Sequence, residues 1–81
     1  MGYYQIVNTT SNIVENITEW DGNTSNWQTE SGFIAVETTE SSGELRVGIG
    51  WKYNSGGTGV GVTSGETGKK WIPQIGYGTT V

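Results

Sequence analysis

The chain has 81 residues and a formal net charge of −4 at pH 7, with no Cys and no His. A chain of this length forms at most one domain, and the missing side chains exclude disulfides and a typical structural zinc site. Four basic residues against eight acidic ones do not provide the surface that nucleic-acid binding needs. Small domains without cross-links often gain stability by association, so we expect a partner surface and a homo-oligomer.

The amino-acid composition is typical of an all-β protein. Ala and Leu occur once each, and the apolar residues are mainly Val, Ile, Trp and Tyr, which suit a half-buried pleated surface. Four Trp, four Tyr and one Phe argue against a disordered chain. The sequence has neither an apolar run of membrane-spanning length nor a signal-like start, so we expect a soluble protein without a membrane partner.

Turn signals at short intervals predict a single domain of five to six short antiparallel strands, arranged as a meander, a small sandwich or a barrel-like fold. The first two strands are predicted at 3–7 and 13–20. In the second strand Ile and Glu share one face, and a β-bulge near Asn16 would resolve this conflict. Asp21 and Gly22 then predict a tight type I′ turn, since both tolerate positive φ.

A polar loop at 23–31, which carries Trp27, precedes the remaining strands. These are predicted at 33–36, 45–53, 60–62 and 69–72. The β domain is thus expected to span residues 1–71, with an added hairpin at 58–71. Residues 72–81 are expected to form an extended C-terminal arm that contacts a partner chain.

The sequence offers no catalytic machinery, and we predict that the protein is not an enzyme. Nucleophilic and acid–base catalysis most often use Cys or His, which are missing here. Paired carboxylates of the glycosidase type need a cleft for which this chain has little room. Gly68-Lys69-Lys70 departs from the phosphate-loop pattern, and a plain turn explains the oxygen-rich residues 21–26 better than a calcium site does. No cofactor and no metal are expected.

The tryptophan side chains are the remaining candidates for function, and two interpretations stay open. They form either the core of a small β domain or platforms on which sugars stack. The core interpretation is favoured for Trp20 and Trp51, whereas Trp27 suits both because it lies in a polar loop. Further candidates for contact with a partner or ligand are Trp71, Ile72, Pro73 and Tyr77.

Three motifs follow one another in order. A short hairpin leads into Trp-Asp-Gly at 20–22, then comes GFIAVET at 32–38, and GIGWKYN closes the series at 48–54. Over residues 3–57 this order resembles a small structural or tail-region domain found in many tailed bacteriophages. The resemblance implies no catalytic residue, but structural roles in the turn and the last strand for Trp20, Asp21, Gly22, Gly48, Ile49, Gly50, Trp51 and Tyr53.

The resemblance implies a non-enzymatic structural protein of a bacteriophage virion, made in the cytoplasm of the bacterial host. We expect a capsid decoration or cement protein that binds the particle surface in many copies. Its partner would be the major capsid protein or another virion protein. The alternatives are a small tail or tail-fibre component, a carbohydrate-binding module that recognises a surface glycan of the host, and a fibre assembly factor.

Overall fold

A computed structural model describes residues 2–41 and 43–74, which form a small all-β domain of two antiparallel sheets. The larger sheet has the order β2-β1-β3, and the smaller one pairs β4 with β5. The strands are β1 (Gly2–Asn8), β2 (Val14–Trp20), β3 (Phe33–Thr38), β4 (Lys52–Tyr53) and β5 (Trp71–Ile72). The predicted all-β class is confirmed. Within the described ranges, no helix has the length and apolar character needed to cross a membrane.

The predicted bulge is present in β2. In the ladder between β1 and β2, Ile6 faces Asn16 and Val7 faces Val14, so that Glu15 is the extra residue. Beyond the bulge Gln5 faces Ile17. The extra residue therefore puts a Val and an Ile three positions apart on the same face, which a regular strand with its period of two cannot do.

The strand predicted at 45–53 is wrong in extent. Glu44–Arg46 forms a 3₁₀ turn instead, and only Lys52–Tyr53 pairs as a strand. Gly50 explains the difference, because its φ of +95° lies outside the extended region. The backbone turns at this glycine and pairs with the start of β2 rather than continuing straight.

The remaining C-terminal pairings are shorter than predicted. The strand expected at 69–72 is found as β5, and the one expected at 60–62 is reduced to a single parallel bridge between Val60 and Trp71. Alternating Gly and Val residues at this point provide too little side-chain surface to support a longer strand.

The first residues of the predicted C-terminal arm belong to the folded domain. Ile72 belongs to β5, and Pro73 is buried, so residues 72–74 are part of the folded domain. The rest of the predicted arm, 75–81, lies outside the described residues.

The connection from β2 to β3 is a crossover. Both strands are antiparallel to β1 and therefore run parallel to each other, which requires a connection along the length of the sheet. Residues 21–32 provide it. The expected type I′ turn is wrong, because Gly22 has positive φ but Asp21 does not.

The core lies against one face of the three-stranded sheet, the inner face, which carries Tyr3, Gln5 and Val7. Val14 is joined to the segment after the 3₁₀ turn by two backbone hydrogen bonds of 2.8 Å, from its N–H to the Trp51 carbonyl and from the Gly50 N–H to its own carbonyl. The opposite face, the outer face, is crossed by the β2–β3 connection. The buried core cluster consists of Val7, Val14, Val47, Trp51 and Trp71.

A buried carboxylate ties the 3₁₀ turn to β5. The indole N–H of Trp71, a fully buried residue, donates to Oε1 of Glu44 at 2.8 Å, and the Lys70 ammonium lies 2.9 Å from the same oxygen. Glu44 is only 7% exposed. A buried carboxylate is costly unless it is paired and hydrogen-bonded, so these contacts fix the two segments relative to each other.

Replacing the buried indole tests this arrangement. Trp71→Phe should lower the free energy of unfolding by about 2–3 kcal/mol, because it removes packed volume and a hydrogen bond to a charged group. The same substitution at the exposed residue, Trp27→Phe, should cost less than about 0.5 kcal/mol. Urea unfolding followed by circular dichroism measures both, and equal costs would contradict the assignment of Trp71 to the core.

Glu66 organises the loop between β4 and β5. Its Oε2 accepts the backbone N–H of Val62 and, at 3.0 Å, that of Thr63. These hydrogen bonds to the charged form lower the pKa of the Glu66 carboxyl below its ordinary value. Because the pKa of Glu66 is lower in the folded protein, its carboxylate stabilises the loop at pH values above the ordinary glutamate pKa. This contribution is lost as the pH falls through the pKa that Glu66 has in the folded protein.

The pH dependence of this loop should therefore be traceable to one carboxylate. In an NMR titration, the amide signals of Val62 and Thr63 should shift with a midpoint below the ordinary glutamate range. Glu66→Gln should abolish that transition, whereas Glu19→Gln, at an exposed position on β2, should leave it unchanged. A transition that persists in Glu66→Gln would refute the assignment.

Candidate binding surfaces

The Trp-Asp-Gly segment ends β2 and opens the crossover. The Asp21 carboxylate accepts the backbone N–H of Asn23 at 2.8 Å and the side-chain amide of Asn26 at 3.1 Å, which makes an Asx turn. Gly22 has a φ of +80°, and a Cβ there would lie 2.9 Å from the Tyr4 hydroxyl. The oxygens of this loop therefore shape the turn. In the described part of the chain, no group of three acidic side chains is placed to bind a metal.

The Gly-Ile-Gly-Trp-Lys-Tyr segment contributes mainly to the core. Trp51 is 5% exposed, and the Tyr53 ring packs with its centroid 4.8 Å from that of Trp71. A Cβ at Gly48 would contact the Trp51 ring at 3.7 Å. Ile49, by contrast, is exposed at the tip of the turn. The segment thus holds aromatic rings inside the domain and offers no ring face of Trp51 to a ligand.

Most residues expected to contact a partner are not at the surface. Trp71 and Ile72 are buried core residues, and Pro73 is buried beside them. The physical reason is the pairing of β5 with β4 together with the indole hydrogen bond to Glu44, which lies 27 residues earlier. Tyr77 lies outside the described residues.

Trp27 is exposed, and it borders a pocket of about 350 Å³ on the outer face. We call this the outer pocket. Its lining comes from the sheet, the bulge and the crossover: Ile6, Glu15, Asn16, Thr18, Trp27, Thr29, Glu30 and Phe33. The Trp27 ring meets that of Trp20 edge-on at 5.2 Å, and the Trp20 ring meets that of Tyr4 at 5.0 Å. A row of three rings thus braces the crossover against the sheet.

A second surface lies on the inner face, which the core covers only in part. Tyr3, Ile17 and Leu45 are 48%, 38% and 42% exposed, and together with Gln5 they line a depression of about 270 Å³. We call these four residues the inner patch. Exposed apolar residues are ordinary when scattered, but a cluster of them is typical of an interaction surface.

Gln5 gives the inner patch an unusual polar feature. The side chain is 1% exposed, and its Nε2 donates to the Val47 carbonyl at 3.1 Å. Its Oε1 is buried and has no hydrogen-bond partner among the described residues. A buried acceptor without a partner is rare because it loses its hydration without compensation. The oxygen is closed to solvent, so a donor from outside would reach it only after the side chains around it had moved.

Comparisons of the chain with protein-family models, with curated proteins and with solved structures found no match. The outer pocket and the inner patch are therefore the features that indicate a function. The inner patch combines apolar side chains with a buried acceptor, which suits a protein partner. The outer pocket combines an exposed indole with carboxylates, amides and hydroxyls, which suits a small polar ligand. Sequence reasoning pointed to Trp27, but it missed the inner patch.

Substitutions at Gln5 should reveal the unpaired oxygen. Gln5→Leu removes both the unpaired acceptor and the bond to the Val47 carbonyl, so the two effects should cancel to within about 1 kcal/mol of unfolding free energy. Gln5→Glu retains the shape but buries a charge, and it should cost more than about 2 kcal/mol at pH 7. Chemical denaturation measures both, and a loss in Gln5→Leu as large as that in Gln5→Glu would mean that the oxygen has a partner.

Proposed function

We propose that the chain is a non-enzymatic structural protein of a bacteriophage virion, a decoration or cement protein that binds the particle surface in many copies. The observation that carries this proposal is the inner patch, an uncovered apolar surface with a buried acceptor on an otherwise folded sheet. The resemblance of residues 3–57 to a tailed-phage domain supplies the virion context.

The chemistry of the inner patch describes the partner. Its apolar side chains fit an aliphatic or aromatic side chain from the neighbouring protein. Glu19 faces Tyr3 across the ladder and so adds negative charge beside the patch. A basic segment of the major capsid protein that presents an apolar or aromatic side chain meets both requirements.

The size of the core supports a role in association. Only seven hydrophobic side chains are buried among the described residues, and an 81-residue chain with so small a core is marginally stable by itself. Binding to a particle, or to further copies of the chain, stabilises the folded form by mass action. A protein that functions while attached to a large assembly does not need a large core.

The copy number tests the virion role. Quantitative mass spectrometry of purified particles of the phage that encodes the chain should find it in amounts comparable to the major capsid protein. A small fraction of that amount would favour a tail or tail-fibre component instead. Its absence from finished particles would overturn the proposal and leave an assembly factor or a free binding module.

The inner patch itself is tested by a matched pair of substitutions. Leu45→Asp should weaken binding to particles that lack the chain by about tenfold or more, because a carboxylate replaces an apolar side chain that the partner buries. Val62→Asp introduces the same charge at an exposed hydrophobic residue in the β4–β5 loop, and it should bind as the unaltered protein does. Co-sedimentation measures both. Equal binding by the two variants would exclude the inner patch as the attachment surface.

A further inference from the structure

We propose that the outer pocket is a binding site for a neutral sugar. The pocket lies on the sheet face opposite the inner patch, so this inference is independent of the mode of attachment to a particle. It starts from an exposed indole beside a concave surface lined by polar side chains. Sugar rings present apolar C–H faces and polar hydroxyl edges, and they are bound where both kinds of surface meet.

The indole of Trp27 is held in place for such a contact. Trp27 remains 44% exposed although its ring packs against that of Trp20 with an interplanar angle of 81°. The Trp20 ring is packed in turn against Tyr4, whose strand is the centre of the sheet. A braced aromatic side chain loses little conformational entropy when a ligand covers it. A tryptophan whose only role was to fix the crossover would stabilise the domain more if its ring were fully buried.

The polar lining suits hydroxyl groups. Glu15 projects from the bulge, and its Oε2 accepts a hydrogen bond from the Asn8 amide at 2.9 Å, which orients the carboxylate. Thr18 and Asn16 line the sheet side of the pocket, and Glu30 lines the crossover side. Carboxylates accept hydrogen bonds from hydroxyls strongly, and amides and hydroxyls both donate and accept. The pocket therefore offers partners for several hydroxyls of one ring.

The two carboxylates also determine which ligands are excluded. Glu15 and Glu30 give the pocket a negative charge at neutral pH, and this disfavours sialylated sugars, uronic acids and phosphates. A purely apolar ligand is disfavoured as well, because polar side chains form most of the lining. Neutral hexoses and N-acetylhexosamines, which have an apolar face and uncharged hydroxyls, satisfy both conditions.

An NMR titration of the ¹⁵N-labelled full chain tests the site. The probes are maltotriose, cellotriose, mannotriose and tri-N-acetylchitotriose, with 3′-sialyllactose as the anionic comparison. At least one neutral trisaccharide should shift the Trp27 indole signal and the amide signals of Thr29 and Glu30, and the sialylated sugar should bind at least about tenfold more weakly. If none of the neutral sugars shifts these signals, the proposal is wrong.

Three variants distinguish a sugar site from nonspecific contact. Trp27→Ala should reduce the affinity for the bound trisaccharide by about tenfold or more, and Tyr3→Ala, which removes an exposed aromatic ring from the opposite face, should leave it unchanged. Glu30→Gln should weaken neutral-sugar binding while reducing the discrimination against 3′-sialyllactose. Equal binding by Trp27→Ala and the unaltered protein would overturn the proposal, as would preferential binding of a Lys-rich peptide at the same signals.

Discussion

The contact between Glu44 and Trp71 is the interaction on which the rest of the domain depends. The smaller sheet has only two residue pairs, which is too few for stability in water by themselves. It is held because the Trp71 side chain fills the core and its N–H is bound by a carboxylate from the 3₁₀ turn. Arg46, two residues further along that turn, donates to the carbonyls of Val60 and Gly61 at 3.4 and 3.2 Å. The 3₁₀ turn thus holds two segments in place, β5 through Glu44 and residues 60–61 through Arg46.

The two candidate surfaces follow from the alternation of side chains along β1. Tyr3 and Gln5 point to the inner face, whereas Tyr4 and Ile6 point to the outer face. The first two therefore line the inner patch, and the other two lie beneath the crossover. The core covers one end of the inner face and leaves the inner patch free. The crossover spans the outer face and leaves a pocket beneath Trp27. Because a sheet separates them, the surfaces can be occupied at the same time by a protein and by a small ligand.

The local features of the fold could be predicted from the sequence, but its long-range contacts could not. Composition predicted the all-β class. The conflict between Ile and Glu positions in β2 predicted a bulge near Asn16, and the structure has the extra residue at the neighbouring Glu15. The crossover was missed because Asp21-Gly22 has the same local signature in a hairpin as in a loop. The role of Glu44 was missed because its indole partner is 27 residues away and no periodic pattern links them. The polar neighbours of Trp27 left both burial and exposure open, and the exposure of Ile17 depends on how far the core extends.

The position of Trp71 near the C-terminal end of the described chain has a consequence for synthesis. The hairpin of β1 and β2 involves neighbouring segments and can form early as the chain leaves the ribosome. The core, however, lacks its fully buried tryptophan until residue 71 has emerged, and until then Glu44 lacks its indole donor. Folding of this domain is therefore completed after translation of nearly all of the described residues. A nascent chain that has not yet reached Trp71 would expose incompletely packed sheets to the chaperones of the cell.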